Sequence, residues 1–152
     1  MKTILITAYA INPYKGSENG SGWRFLLEIA KTYKVIAITR ENNLPEISRY
    51  LSDHDVPEAS NLEFVGFDLP KDPRFWKRGN IGAMPYYTLW QWRVAAFIRK
   101  QDWQYDLVHN LNFNNDWAPS YLGSLGKPFI WGPIGHHPKI PRNYLLPVYG
   151  WK

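Results

Sequence analysis

The stretch Gly16-Ser17-Glu18-Asn19-Gly20-Ser21-Gly22 lies between an apolar run and an amphipathic one, and its reading decides the fold. Before it, Ile4-Leu5-Ile6-Thr7-Ala8 is short, β-rich and free of charge, the pattern of a buried strand. After it, Trp23, Leu26, Leu27, Ala30 and Tyr33 recur at helical spacing, so a helix begins within or just after the glycines. Strand, glycine-rich turn and helix open a βαβ unit. Such a turn gathers unpaired backbone N–H groups and the positive end of a helix at one point, where an anion can be held. Glycines also let a ligand come close with no Cβ in the way. The spacing, G-x-x-x-G-x-G, is neither the dinucleotide fingerprint nor the Walker phosphate loop, whose Lys follows its last glycine. A ligand loop and a plain flexible connection both fit it.

Outward from that unit the alternation continues. Lys34 to Thr39 is a second buried strand, and Glu41 to Leu51 a helix with Leu44, Ile47 and Leu51 on one side and Pro45 in its first turn. Asp53 to Asn61 is turn chemistry and Leu62 to Phe67 a third strand. Asp68 to Gly82 reads as an irregular loop. A long helix follows from Ala83 or Pro85 to Lys100, with Tyr87, Trp90, Val94, Phe97 and Ile98 inside and Gln91, Arg99 and Lys100 outside. Tyr105 to Asn110 is the fourth strand, Asp116 to Leu125 a short helix stopped by Gly126, and Pro128 to Trp131 the fifth strand. Gly132 to Pro141 is a turn-rich loop and Tyr144 to Lys152 an aromatic tail. The pattern predicts an α/β fold: a doubly wound, Rossmann-like parallel sheet of about five strands in the order 3-2-1-4-5. Ligands of such sheets bind at the carboxyl ends of the strands where the order reverses, here between strands one and four. The segments 9–22, 109–115 and 132–137 are expected to converge there.

The length of 152 residues fits a single domain, and 45% apolar with 20% charged residues belongs to globular rather than disordered chains. The absence of cysteine excludes disulfides and thiolate metal sites and fits a cytoplasmic life. Neither a signal peptide nor a spanning helix is predicted. Eight Trp and ten Tyr exceed what a core of this size needs. Charge is uneven: residues 41–72 are acid-rich, whereas residues 73–100 carry six cations and no acid. A basic, aromatic-rich second half points to anionic partners, a phosphate or a membrane surface before nucleic acid. Phe75-Trp76-Lys77-Arg78 with Tyr86, Tyr87, Trp90 and Trp92 fits a membrane-surface patch, and core packing explains many of the same rings.

Individual residues carry two readings each. Glu18 is a dipole-complementing charge at a helix start or a catalytic carboxylate. His109 ends a strand at the switch point, as a structural hydrogen-bonder or a ligand contact. Asn110, Asn112, Asn114, Asn115 and Asp116 form a dense cluster suited to orienting hydroxyl-rich ligands, and equally to making turns. Adjacent His136 and His137 point apart with no nearby carboxylate, so a phosphate contact or general base beside Lys139 and Arg142 is expected rather than a metal site. No Gly-x-Ser-x-Gly elbow is present.

Met1 to Ile6, Lys15-Gly16-Ser17-Glu18 with Gly20 and Gly22-Trp23, Tyr105-Asp106-Leu107-Val108-His109 and Trp131-Gly132-Pro133-Ile134-Gly135 together resemble the amino-terminal domain of GT-B glycosyltransferases of family 4, the "glycosyl transferase group 1" enzymes. The resemblance implies one Rossmann-like, acceptor-side domain over residues 1–152, whose partner domain holds the nucleotide-sugar donor. It implies retaining, metal-independent transfer of a sugar to a glycan or lipid-linked acceptor in polysaccharide biosynthesis, with no cofactor. Gly16, Ser17 and Gly20 would lie against the donor phosphates, and Glu18, His109 and His136 are the catalytic candidates. Asn110, Asn112, Gly135, His137 and Lys139 are the acceptor-side candidates. Two departures are visible: Leu111 stands where many members have a second His after strand four, and Gly132-Pro133-Ile134-Gly135 stands where many have a His directly after strand five. With no donor domain within the 152 residues, the chain alone is expected to be inactive and to associate through an exposed interdomain face, with itself or with the missing half. The other expectations are a non-catalytic domain binding carbohydrate or an anionic membrane, and an NADPH module meeting the 2′-phosphate at Arg40, against which the missing fingerprint tells.

Overall fold

In a computed structural model the chain forms one five-stranded parallel sheet in the order β3-β2-β1-β4-β5. The structure describes residues 1–70, 83–111 and 119–135. The strands are β1 (Thr3–Thr7), β2 (Lys34–Thr39), β3 (Leu62–Gly66), β4 (Leu107–Asn110) and β5 (Phe129–Trp131). The helices are α1 (Ser17–Ala30), α2 (Leu44–Asp53) and α3 (Ala83–Ile98). The doubly wound order is therefore the one the alternation predicts.

The two sheet faces are read off the strand alternation. Ile6 of β1 and Ala8 just after it, with Val35 and Ala37 of β2, meet Trp23, Leu26 and Ala30 of α1 and Ile47 of α2. Leu5, Ile38 and Val108 point the other way, onto Tyr86, Tyr87, Trp90, Val94 and Ile98 of α3. The apolar periodicities of α1 and α3 are thus core faces, as expected. Pro45 lies in the first turn of α2, which a short 3₁₀ turn, Glu41–Asn43, precedes.

Four local expectations are corrected. Gln91 is fully buried, not outside: it lies one turn after Tyr87 and turns its amide to that hydroxyl and to Asn110, so polarity alone misplaced it. The helix expected from Asp116 is only a 3₁₀ turn, Leu122–Leu125, within the described residues, although Gly126 does stop it in the left-handed conformation at φ 70°. The turn Asp53 to Asn61 includes a 3₁₀ turn, Pro57–Asn61. Of the proposed aromatic patch, Tyr86, Tyr87 and Trp90 belong to the core and Trp92 is half exposed, while Phe75, Trp76, Lys77 and Arg78 lie outside the described residues.

Trp90 anchors the α3 face. It is fully buried, its indole N–H donates to the Phe67 carbonyl at 2.8 Å, and its ring meets Tyr9 edge-on at 5.2 Å. Trp90→Ala opens a large cavity and orphans that carbonyl. It is expected to cost about 3–5 kcal/mol by chemical denaturation, against under about 0.5 for Trp92→Ala on the exposed side. Equal losses for the two would contradict this packing.

Candidate functional site at the carboxyl edge of β1 and β4

Strand order reverses between β1 and β4, which pair with Thr7 opposite Asn110. Both side chains lie on the α3 face, and both are buried. The Thr7 hydroxyl donates to Asn110 Oδ1 at 3.1 Å, and Gln91 Nε2 donates to the same oxygen at 2.9 Å. Gln91 Nε2 also reaches the Tyr87 hydroxyl at 2.7 Å. Two atoms of this line, Gln91 Oε1 and Asn110 Nδ2, are buried with no hydrogen-bond partner among the described residues. An unpaired buried amide atom costs on the order of 1–3 kcal/mol, so this is an unusual place to leave two.

Burial holds the Tyr87 phenol above its usual range; the neighbouring amides of Asn110 and Gln91 pull it back, and the Glu18 charge pushes it up again. Glu18 is in the first turn of α1. The Glu18 charge at the start of α1 is thus felt at the phenol that Gln91 links to the end of β4.

The glycine stretch is the beginning of α1 itself. Gly16 is the residue before the helix, with φ −85°, and no side-chain hydrogen bond caps the helix among the described residues. Ser17, the first helical residue, takes φ 53°, a left-handed conformation that costs a non-glycine residue on the order of 1–2 kcal/mol. A Cβ on Gly16 would meet nothing within 4 Å, whereas one on Gly20 would come within 2.3 Å of the Lys15 carbonyl oxygen. Gly20 thus has a packing reason, and Gly16 leaves open space in front of the helix.

The preceding loop is built on Asn12, a residue sequence reasoning passed over. It is 1% exposed, its backbone N–H donates to the Asn19 carbonyl at 3.2 Å, and its Oδ1 accepts from the Tyr14 N–H at 2.9 Å. Its Nδ2 donates to Glu46 of α2. The signal for it was the Asn12-Pro13 pair, a turn dipeptide. Thr7, Tyr87 and Gln91 were missed as polar site residues because each sits in an apolar-looking run.

His109 does not join this group. Alternation along β4 turns it to the α1 face, where its Nε2 contacts the Gly132 carbonyl at 2.6 Å and its ring meets Phe25 edge-on at 6.1 Å. Burial pushes its pKa down, and the bond to Gly132 offsets part of that. Gly132 takes φ 142°, a region open chiefly to glycine. His109 forms one wall of an apolar groove of about 680 Å³, with Phe25, Ile29, Ile130 and Pro133. Phe25 and Ile130 are 42% and 47% exposed, so this is an uncovered apolar face beside β4 and β5. Gly135 is exposed just beyond β5. Asn112, Asn114, Asn115, Asp116, His136, His137, Lys139 and Arg142 lie outside the described residues. Among the described residues no group of three acids or histidines could hold a metal ion, and no helix is long and apolar enough to cross a membrane.

Arg40, the position expected of a 2′-phosphate contact, is already engaged. Its Nε pairs with Asp68 at 3.2 Å, and its guanidinium lies over the rings of Tyr9 and Tyr86 at 5.2 and 5.5 Å. Burial first, then the neighbouring phenols and Asp68, drive the Tyr9 pKa up to about 12, with Arg40 opposing.

No family model, curated protein or solved structure matches the chain.

Two outcomes follow from this geometry. Gly20→Ala is expected to destabilise by about 1–3 kcal/mol because the Lys15 carbonyl has to move, while Gly16→Ala leaves the melting temperature within about a degree or two; a reversed order would sink the assignment. His109 is buried in its neutral form, with a folded pKa below the unfolded value of about 6.5. Its contribution to stability is complete above about pH 6.5 and is lost as pH falls through the lower folded pKa. A His109→Gln variant should lose that acid-side slope between pH 7 and 5, and an unchanged slope would place the titration elsewhere.

Proposed function

We propose that the chain is the acceptor-side domain of a retaining, metal-independent glycosyltransferase, moving a sugar from a nucleotide-sugar donor to a glycan or lipid-linked acceptor. The observation that carries the reading is at the switch point: Gln91 Oε1, an acceptor, and Asn110 Nδ2, a donor, both unpartnered. By type the two match a hydroxyl, which donates to an acceptor and accepts from a donor. Polyhydroxylated ligands are the class for which such a pair is suited, and the carboxyl edge of a doubly wound sheet is where ligands bind. The uncapped start of α1, with open space before Gly16, supports a phosphate contact.

In this arrangement the first turn of α1 supplies backbone N–H groups and a positive helix end to the diphosphate. That support matters most as the leaving group gathers charge. Glu18, in the same turn, acts on the acceptor side, where the Tyr87 phenol, Asn110 and Gln91 orient the sugar hydroxyls. His109 acts from the other face of β4, fixing the loop after β5 through Gly132 rather than touching the reacting atoms. A nicotinamide-phosphate reading is disfavoured by the commitment of Arg40 to Asp68 and two rings.

Gly16→Asp places a carboxylate in the open space before α1. In an enzyme that includes a donor-binding half, this variant is expected to keep its fold and lose transfer by at least about a hundredfold. Circular dichroism and a transfer assay check the two parts. Wild-type turnover would remove the phosphate role from this loop.

A further inference from the structure

We infer that the solvent-facing side of α3 docks on an anionic lipid surface. Pro85, Leu89, Trp92, Ala96 and Arg99 recur at spacings of four and three, so they share one stripe along a helix of 16 residues, about 24 Å long. The stripe is polarised. Its first half is apolar, a groove of about 510 Å³ formed by Met84, Pro85, Leu89, Trp92 and Tyr121, with Trp92 52% exposed. Cations flank its second half: Arg93 and Lys100 are exposed beside it, and Arg99 ends it with its guanidinium donating to the Ser124 carbonyl and hydroxyl.

Arg93 joins the two halves. Its guanidinium lies 5.4 Å from the Trp92 ring centre, beside the apolar groove. It also lines a second groove, of about 280 Å³, with Lys100, Phe97 and Pro70. The acid in that second groove, Asp68, has a side chain only 3% exposed and is paired with Arg40, so Arg93 and Lys100 set its charge. No acid occurs anywhere between Arg74 and Gln101. An exposed Trp and a Leu beside two cations a helical turn or two apart is the chemistry of an interfacial contact: the apolar groups enter the headgroup boundary while the cations meet lipid phosphate. Each cation near an anionic leaflet contributes modestly, so the apolar half is needed for retention.

This extends the transferase reading by giving a lipid-linked acceptor a surface to be taken from, and the two are tested apart because vesicle binding needs no sugar donor. The whole chain is mixed with phosphatidylcholine vesicles, or with vesicles one third phosphatidylglycerol, and sedimented. Binding is expected only to the anionic vesicles, weakening with salt. Trp92→Ala and the double variant Arg93→Glu/Lys100→Glu should each weaken it about tenfold or more, with unchanged melting temperatures because these side chains are exposed. Brominated acyl chains should quench tryptophan emission in the wild type and much less in Trp92→Phe. Absence of binding to anionic vesicles overturns the inference. So does binding unaffected by either variant, binding equal on neutral vesicles, or complete competition by inorganic phosphate, which would make the cation pair a site for the free anion.

Discussion

Buried polar groups must find partners, and at the carboxyl edge of this sheet that constraint links everything else. β1 and β4 are sequence-distant strands paired side by side, so Thr7 stands opposite Asn110. Asn110 in turn takes Gln91, and Gln91 takes Tyr87. The line ties α3 to the sheet through one buried bond, Gln91 to Asn110, while the Gln91–Tyr87 bond lies within the helix and holds the amide in place. Such bonds contribute on the order of 1 kcal/mol each when made, and cost more when one partner is left behind. The amide orientations do not remove the deficit. Turning both amides over exchanges which donor and acceptor are left, but the line still lacks partners for some of its atoms.

That residue of unmet hydrogen bonding is what separates this edge from the rest of the core. Apart from the Ser120 hydroxyl, which also lacks a partner, the other buried polar groups among the described residues are answered locally. Asn43 gives its amide to the Tyr9 carbonyl and the Thr39 hydroxyl, and Trp90 gives its indole to Phe67. Arg40 is covered by Asp68 and two rings. His109 meets Gly132. The deficit at Gln91 and Asn110 falls where strand order reverses, the position at which open α/β sheets hold their ligands.

The architecture was legible in the sequence because it depends on period. Runs such as Ile4 to Thr7 and Val35 to Ile38 are apolar on both faces, as strands covered on both sides must be. The helices α1 and α3 announce themselves by spacings of three and four. The site was legible only in part. Glu18 and Asn110 were marked by position in the topology, but Gln91 was read as solvent-facing because a single polar residue in a helix is ordinarily outside. Its burial is set by a partner from a distant strand, and pairings across 19 residues leave no trace in a local window. His109 was marked by the same topological argument as Asn110, yet adjacent residues of a strand face opposite ways, and the sequence gives no sign of which face a ligand takes. Gly16 and Gly20 looked equivalent in the glycine stretch. Only the backbone path shows that one touches the Lys15 carbonyl and the other touches nothing.

The two faces of the sheet are also unequally finished, and the reason is topological. Right-handed crossovers that move from β1 to β2 and β3 place α1 and α2 on one face, while the return to β4 places α3 on the other. Chain between β4 and β5 adds Leu122 to the α3 face. The described residues therefore leave the α1 side of β4 and β5 with no helix of its own, and Phe25, Ile130 and Pro133 line an open apolar groove there. The exposed stripe of α3 has a different origin. That helix already buries its inner face in the core, with half-buried Leu89 at the margin of that packing, so the exposed Trp92 is not a core residue lacking a cover. Trp92 lies on the outer side of a packed helix, next to Arg93, where solubility alone would favour mixed charges. An apolar groove with a cation beside it and, among the described residues, no acid in its lining is thus the less ordinary of the two surfaces. The distinction rests on composition as well as exposure: the groove by β5 lacks a covering element among the described residues, whereas the α3 stripe combines an amphipathic surface with one sign of charge.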